Sequence, residues 1–164
     1  MPFKRNGTRW LRKILRGHRA AVDTAANVPW QTLEDLIPYT DLFLVDIKAF
    51  DDEKHKEGTG VSNRRILENI QRLGDGRAKV WIRVPVIPGY NDNAGELGQI
   101  AGFLSGLPGI RKVELLPFHH LGAGKYDSLG LPYPSRGIKP PGEDVIAHFA
   151  TLFSQRGLDV VSMV

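Results

Sequence analysis

Cysteine is absent from all 164 residues. That excludes disulfides, zinc-thiolate sites and cysteine-ligated iron-sulfur clusters built from this chain. Long apolar runs are missing as well: the longest, such as 42–45 (LFLV), fall far short of the roughly 18 residues a membrane span requires. The first 19 residues contain no continuous apolar core and no small-residue cleavage site, so they do not read as a secretory signal. The expectation is a cytoplasmic protein that does not enter a membrane. Acidic residues are missing from positions 1–22, where seven bases occur: Lys4, Arg5, Arg9, Arg12, Lys13, Arg16 and Arg19. Setting those seven aside from the 22 bases leaves 15 against all 18 acids, so the body of the chain is mildly acidic despite the net charge of +4. A basic leading segment on such a body reads as a solvated helix face or a tail, not as a nucleic-acid surface.

What is present suits one packed domain. The hydrophobic content is 41%, and a chain of this length does not comfortably build two cores. Trp10, Leu11, Ile14 and Leu15 recur at helical spacing before Gly17, which predicts a short amphipathic helix. Residues 19–23 read as a strand entering the loop Thr24 to Asn27, and helix returns over 30–37, ended by Pro38. The run 42–47 (LFLVDI) predicts a strand buried on both faces, with its acid at the carboxyl end. The segment 51–60 (DDEKHKEGTG) reads as a loop. Ser62 then caps a helix carrying Ile66, Leu67, Ile70 and Leu73 on one face, closed by Gly74. A strand over 79–87 is followed by turn residues Pro88, Gly89, Asn91 and Asp92, and by a helix bearing Leu97, Ile100, Phe103 and Leu104. A fourth strand covers 113–116, a long Gly- and Pro-rich loop covers 117–141, and a last helix with Val145, Ile146, Phe149 and Phe153 leads to a strand over 159–163.

Five strands, each preceded by a helix, argue for an α/β fold with a parallel sheet and right-handed crossovers, either doubly wound or part of a βα barrel. No Gly-x-Gly-x-x-Gly turn follows the first strand, which counts against dinucleotide binding. A closed eight-unit barrel takes about 250 residues, so five strands imply an open, partial barrel.

In parallel α/β folds, ligand sites gather at the carboxyl ends of the strands. Four strands place polar groups there: Asp23 with Thr24, Asp46 with Lys48, Arg83, and His119 with His120. Residues two apart on a strand share a face, so Leu44, Asp46 and Lys48 point the same way. Carboxylates with a threonine oxygen suit a hard cation or an ammonium group, and Lys48 with Arg83 suits a carboxylate or phosphate, so the set fits a zwitterion. Against this stands a plain reading in which Asp46 and Lys48 form a local ion pair at the rim. His119 is a candidate acid, base or donor. His18, His55, His120 and His148 carry no assigned role, and Trp81 and Phe118 read as packing groups.

The runs 22–30 (VDTAANVPW), 41–70 (DLFLVDIKAFDDEKHKEGTGVSNRRILENI), 79–92 (KVWIRVPVIPGYND), 113–130 (VELLPFHHLGAGKYDSLG) and 137–145 (GIKPPGEDV), in that order and spacing, closely resemble the pyruvate formate-lyase activating enzymes and other glycyl-radical-enzyme activases of the radical S-adenosylmethionine superfamily. The likeness extends from about Gly17 to the C-terminus. The resemblance implies a partial βα barrel of the radical S-adenosylmethionine type that lacks its first strands. It divides the chain into a basic segment, 1–16, and the C-terminal part of the barrel, 17–164. The activity it implies is reductive cleavage of S-adenosylmethionine on a [4Fe-4S] cluster and removal of a glycine hydrogen from a partner glycyl-radical enzyme. By the same resemblance Asp23, Thr24, the backbone of Leu44 and Asp46 form a monovalent cation site. Asp23, Asp46, Lys48, Arg83 and His119 bind S-adenosylmethionine.

The sequence departs from the family pattern in three places. The C-x-x-x-C-x-x-C cluster loop and the G-G-E strand are absent, and Ala26 stands where relatives often have glycine. The expectation is a chain that starts near the helix before the family's third strand, has no radical activity alone, and needs an N-terminal segment carrying the cluster. The barrel edge then lacks its neighbour, and residues 1–16 are a candidate cover. Two alternatives stand beside this one: a non-catalytic module that binds a small ligand or a protein, and a lyase using Lys48 as a Schiff-base nucleophile.

Overall fold

A computed structural model describes residues 20–162. The amphipathic segment at 10–15, the basic segment 1–16 and its suggested cover of the sheet edge lie outside the described residues. Five strands form one sheet in the order of the sequence: β1 (Ala21–Thr24), β2 (Leu42–Asp46), β3 (Val80–Val86), β4 (Ile110–Pro117) and β5 (Asp159–Ser162). Every neighbouring pair is parallel. A doubly wound sheet reverses its strand order at a switch point, whereas this order never reverses. The architecture is therefore an open segment of a βα barrel.

Between the strands run α1 (Trp30–Leu36), α2 (Asp52–Thr59), α3 (Arg64–Leu73), α4 (Ala94–Ser105), α5 (Ala123–Ser128) and α6 (Glu143–Ser154). Alternate strand residues Phe43, Val45, Ile82, Val84, Val113 and Leu115 are fully buried. They share one core with Leu33 of α1, Ile66, Ile70 and Leu73 of α3, Leu97, Ile100 and Leu104 of α4, and Ile146, Phe149 and Phe153 of α6. The helices thus cover a single face, as same-handed crossovers along an unreversed order require. The intervening residues Leu44, Asp46, Trp81, Arg83, Lys112, Glu114 and Leu116 are only half-buried on the other face. Here the expectation that the strand at 42–47 is buried on both faces is corrected. A barrel strand has one helix-covered face and one face turned to the barrel interior, and in an open sheet of five strands the interior face is reached by solvent.

Three further expectations are corrected. Residues 52–59 are helical, not loop. Asp51 caps them by accepting from Lys54 N at 2.8 Å, and Gly60 ends them with φ 78°. This helix has no apolar stripe to read in the sequence, because polar contacts anchor it. Asn63, not Ser62, holds the N-cap position of α3, and it makes no side-chain cap bond. Ser62 instead donates to Asp52 Oδ1 at 2.6 Å and receives Arg64 N at 3.3 Å. The segment 117–141 is not all loop: a 3-10 turn (His120–Gly122) and α5 interrupt it.

Candidate functional site

The strand register decides which polar residues meet. Asp46 of β2 lies opposite Arg83 of β3, and Arg83 lies opposite Glu114 of β4. Asp23 of β1 lies opposite Leu44, one face-mate before Asp46. The Arg83 guanidinium reaches back across β2: Nε donates to Asp46 Oδ1 at 2.9 Å, and Nη2 lies 2.9 Å from the same oxygen and contacts Asp23 Oδ1. Lys48 Nζ donates to Asp46 Oδ2 at 3.1 Å. Asp46 therefore serves two cations, Arg83 serves two carboxylates, and the four side chains form one connected network on the open face. Their formal charges sum to zero. Partial burial of Arg83 works against its charge, but the hydrogen bonds and charges of Asp23 and Asp46 outweigh that and hold it more firmly protonated than a free arginine.

Thr24 and His119 stand apart from this network. Thr24 Oγ1 accepts from Ala26 N at 2.9 Å, closing the turn after β1. His119 is exposed, and its Nδ1 accepts from Leu121 N at 3.3 Å. It lines, with Arg83, a cavity of about 440 Å³ whose other walls include Glu114, Leu116, Phe118 and Ile146. Asp23, Asp46 and Lys48 do not line it, so Arg83 is the joint between a charged compartment on β1–β2 and a more apolar one on β4. That combination can hold a small ligand with a zwitterionic end and a less polar body. Among the described residues no group of three or more histidine, aspartate or glutamate side chains is disposed to hold a metal ion. None of their helices is long and apolar enough to cross a membrane.

The backbone that carries these residues is tied down by buried polar side chains that sequence reasoning missed. Asn69 of α3 is nearly fully buried, and its Nδ2 donates to Ala26 O and Val28 O, both at 2.8 Å. This fixes the loop after β1, in which Ala26 takes φ 54° although it is not glycine. Asn91 Nδ2 donates to Lys48 O at 2.8 Å and Pro85 O at 2.6 Å. Asn63 Nδ2 donates to Ala49 O at 3.0 Å and Phe50 O at 2.6 Å. Glu96 Oε1 accepts from Phe50 N, and from Asp51 N at 3.3 Å. Non-repetitive backbone at this depth must find partners, and from Lys48 to Asp51 it finds them in side chains. One signal was available for Asn69, a polar residue set between Ile66 and Ile70 on the apolar face of its helix.

No protein-family model matches the chain. Over 150 residues it is 39% identical to the (2S)-3-sulfopropanediol dehydratase activating enzyme of Klebsiella oxytoca, an alignment covering 88% of this chain and 47% of that protein. Over 136 residues it is 35% identical to the pyruvate formate-lyase-activating enzyme of Staphylococcus epidermidis, covering 79% of this chain and 54% of that one. Its fold matches the crystal structure of a domain of pyruvate-formate lyase-activating enzyme from Bacteroides vulgatus with a TM-score of 0.78 and 25% identity, over 97% of this chain and 92% of that chain. The chain spans about half the length of the curated relatives it matches. On sequence and fold together, the curated homologues of this chain are pyruvate formate-lyase activating enzymes and related activases, of which it matches a part.

Proposed function

We propose that this chain forms the S-adenosylmethionine-binding part of a glycyl-radical-enzyme activase. The observation that carries the reading is the network of Asp23, Asp46, Lys48 and Arg83, with two carboxylates and two cations at adjoining strand ends. In this reading Lys48 and Arg83 hold the methionine carboxylate, Asp46 orients both cations, and His119 lines the nucleoside side of the pocket. Asp23, Thr24, the Leu44 backbone and Asp46 would hold a monovalent cation. The Arg83 guanidinium lies between the two carboxylates in this structure, so such an ion would share them with it. Held there, S-adenosylmethionine would be the source of the group that takes a hydrogen from a glycine of the partner enzyme, with the electron delivered from outside this chain.

The cluster does not fit the residues present, because the 164 residues include no cysteine thiolate. The chain's own side chains bind and orient the ligand, and no electron-transfer step is assigned to them. We infer that it is inactive by itself and works with a cysteine-bearing segment, and that its partner is a glycyl-radical enzyme. The same lack of cysteine favours a second reading, a non-catalytic ligand-binding module. The Schiff-base reading finds no support, since Lys48 is 36% exposed and contacts Asp46, whereas a nucleophilic lysine needs a desolvated pocket.

Anaerobic calorimetry with S-adenosylmethionine tests these readings on the chain alone and on the chain joined to an activase segment that carries the cysteine loop. Saturable binding only in the joined form, abolished by Arg83→Met, is the expected result. Equal binding in both forms points to the stand-alone module. Absence of binding in both overturns the assignment.

A further inference from the structure

We propose that Asn91 is the positioning residue of Lys48, holding the lysine's backbone so that its ammonium group is presented beside Asp46. The inference rests on the ligand-binding reading above for its consequence, though not for its geometry. The β2–β3 ladder makes its last rung where Ile47 N donates to Arg83 O at 2.9 Å. One step further along the face, the carbonyls of Lys48 and Pro85 are joined not to each other's strand but to the side-chain amide of Asn91, which inserts between them at 2.8 and 2.6 Å. The third polar function is used too: Oδ1 accepts from Ile87 N at 2.7 Å.

Asn91 is fully buried, and three hydrogen bonds to three backbone groups leave it a single orientation. Only a side chain with two donors and one acceptor on one planar group can serve all three at this reach. Aspartate lacks the donors. Alanine leaves two carbonyls and one N–H without partners where water does not reach, and unmade bonds at such a place are costly. The residue lies 43 positions from Lys48 in sequence. It therefore couples the turn after β3, where the chain leaves the site's arginine strand, to the lysine at the end of β2. Asn69 offers the contrast needed for a test, because it clamps two carbonyls in the same way on a different arm, the Ala26–Val28 loop.

Two measurements decide the proposal. The first is amide hydrogen exchange of the full 164-residue chain. Asn91→Ala is expected to speed exchange locally over residues 47–50, and Asn69→Ala to leave that segment unchanged. Unaltered exchange over 47–50 in the Asn91 variant overturns the clamp. If Asn91→Ala does not fold, Asn91→Ser, which keeps a small uncharged hydroxyl at the site but cannot span both carbonyls, is read in the same way.

The second is a double-mutant cycle in S-adenosylmethionine affinity, using whichever form of the protein binds. Asn91→Ala is expected to weaken binding about tenfold, the size of one lost buried hydrogen-bonding arrangement, and to have little further effect once Lys48→Ala is present. Asn69→Ala should cost the same with or without Lys48. An equal loss from Asn91→Ala in both backgrounds means that the residue supports the fold in general, and overturns the proposal. If no form of the wild-type protein binds the ligand, the functional reading falls, and the exchange experiment alone decides whether Asn91 positions Lys48.

Discussion

Arg83 and Asp46 occupy the same register position on adjacent strands, and the guanidinium Nε donates to the carboxylate Oδ1 at 2.9 Å. Both side chains are about four-fifths covered, whereas Asp23, the other carboxylate on Arg83, is mostly exposed. The Asp46 pair should therefore carry most of the coupling, since exposed ion pairs are screened.

Replacing Arg83 by Met leaves two carboxylates side by side without a common cation. We expect a loss of about 1–3 kcal/mol at pH 7, measured by urea denaturation. Combined with Asp46→Asn, the losses should fall short of additivity by at least about 0.5 kcal/mol. Strict additivity would show that the two residues touch without depending on each other.

Asp52 should titrate abnormally. A hydrogen bond from Ser62, reinforced by Lys56 and by Asn63 N–H against an opposing desolvation, holds its carboxyl well below the usual aspartate value of 3.8. A depressed folded value means that the group favours the folded state above the unfolded value near 3.8. That contribution is lost as pH falls from there towards the folded value. Carbon-13 carboxyl titration by NMR should find Asp52 still ionised where ordinary aspartates have protonated, and Ser62→Ala should move its titration upward. A normal titration curve in the wild-type protein would contradict the assignment.

Ala26 is fully buried with φ 54°. Glycine there relieves about 1 kcal/mol of left-handed strain, but it forfeits a buried methyl worth about 0.8 kcal/mol and adds chain entropy to the unfolded state. Ala26→Gly should therefore lie within about 1 kcal/mol of wild type. Ala26→Val, β-branched at positive φ in a filled core, should lose more than about 2 kcal/mol. Thermal melts of the two variants check this, and a stable valine variant would refute it.

Two glycines remote from the site should respond in opposite senses. A Cβ on Gly109 would sit 2.7 Å from both Gly74 O and Gly76 N, backbone atoms that cannot turn aside, whereas a Cβ on Gly98 of α4 meets nothing within 4 Å. Gly109→Ala should destabilise by about 1–3 kcal/mol. Gly98→Ala should stabilise by about 0.5–1 kcal/mol through helix propensity. Denaturation midpoints at constant slope distinguish the two.

Where side-chain pattern reflects burial, the elements were legible beforehand. The apolar spacing of α3, α4 and α6 and the turn residues after β3 place those elements within a few residues of their observed ends. The spacing of two between Asp46 and Lys48 also put them on one face, which their 3.1 Å contact bears out. Helix α2 was not legible. Its residues, DEKHKEGT, bury only His55, and what anchors it is long-range and polar: Asn63 under the carbonyls of Ala49 and Phe50, Glu96 on the amides of Phe50 and Asp51, and Tyr90 Oη donating to Lys54 O at 3.0 Å. No local period announces such partners.

By itself the sequence determined the alternation of strand and helix, the parallel sheet, the family resemblance and the impossibility of thiolate ligation. These follow from local periodicity, from ordered runs of residues and from composition. Tertiary structure alone decided that Arg83 turns towards Asp46 and Asp23 while Glu114 lies opposite it on the other side. It also decided that one face of the sheet stays open, and that three asparagines clamp the loops at the rim. Register and hydrogen-bond partnership join residues far apart in the chain, Asp46 with Arg83 across 37 positions and Lys48 with Asn91 across 43, and such pairings exist only once the strands have been laid side by side.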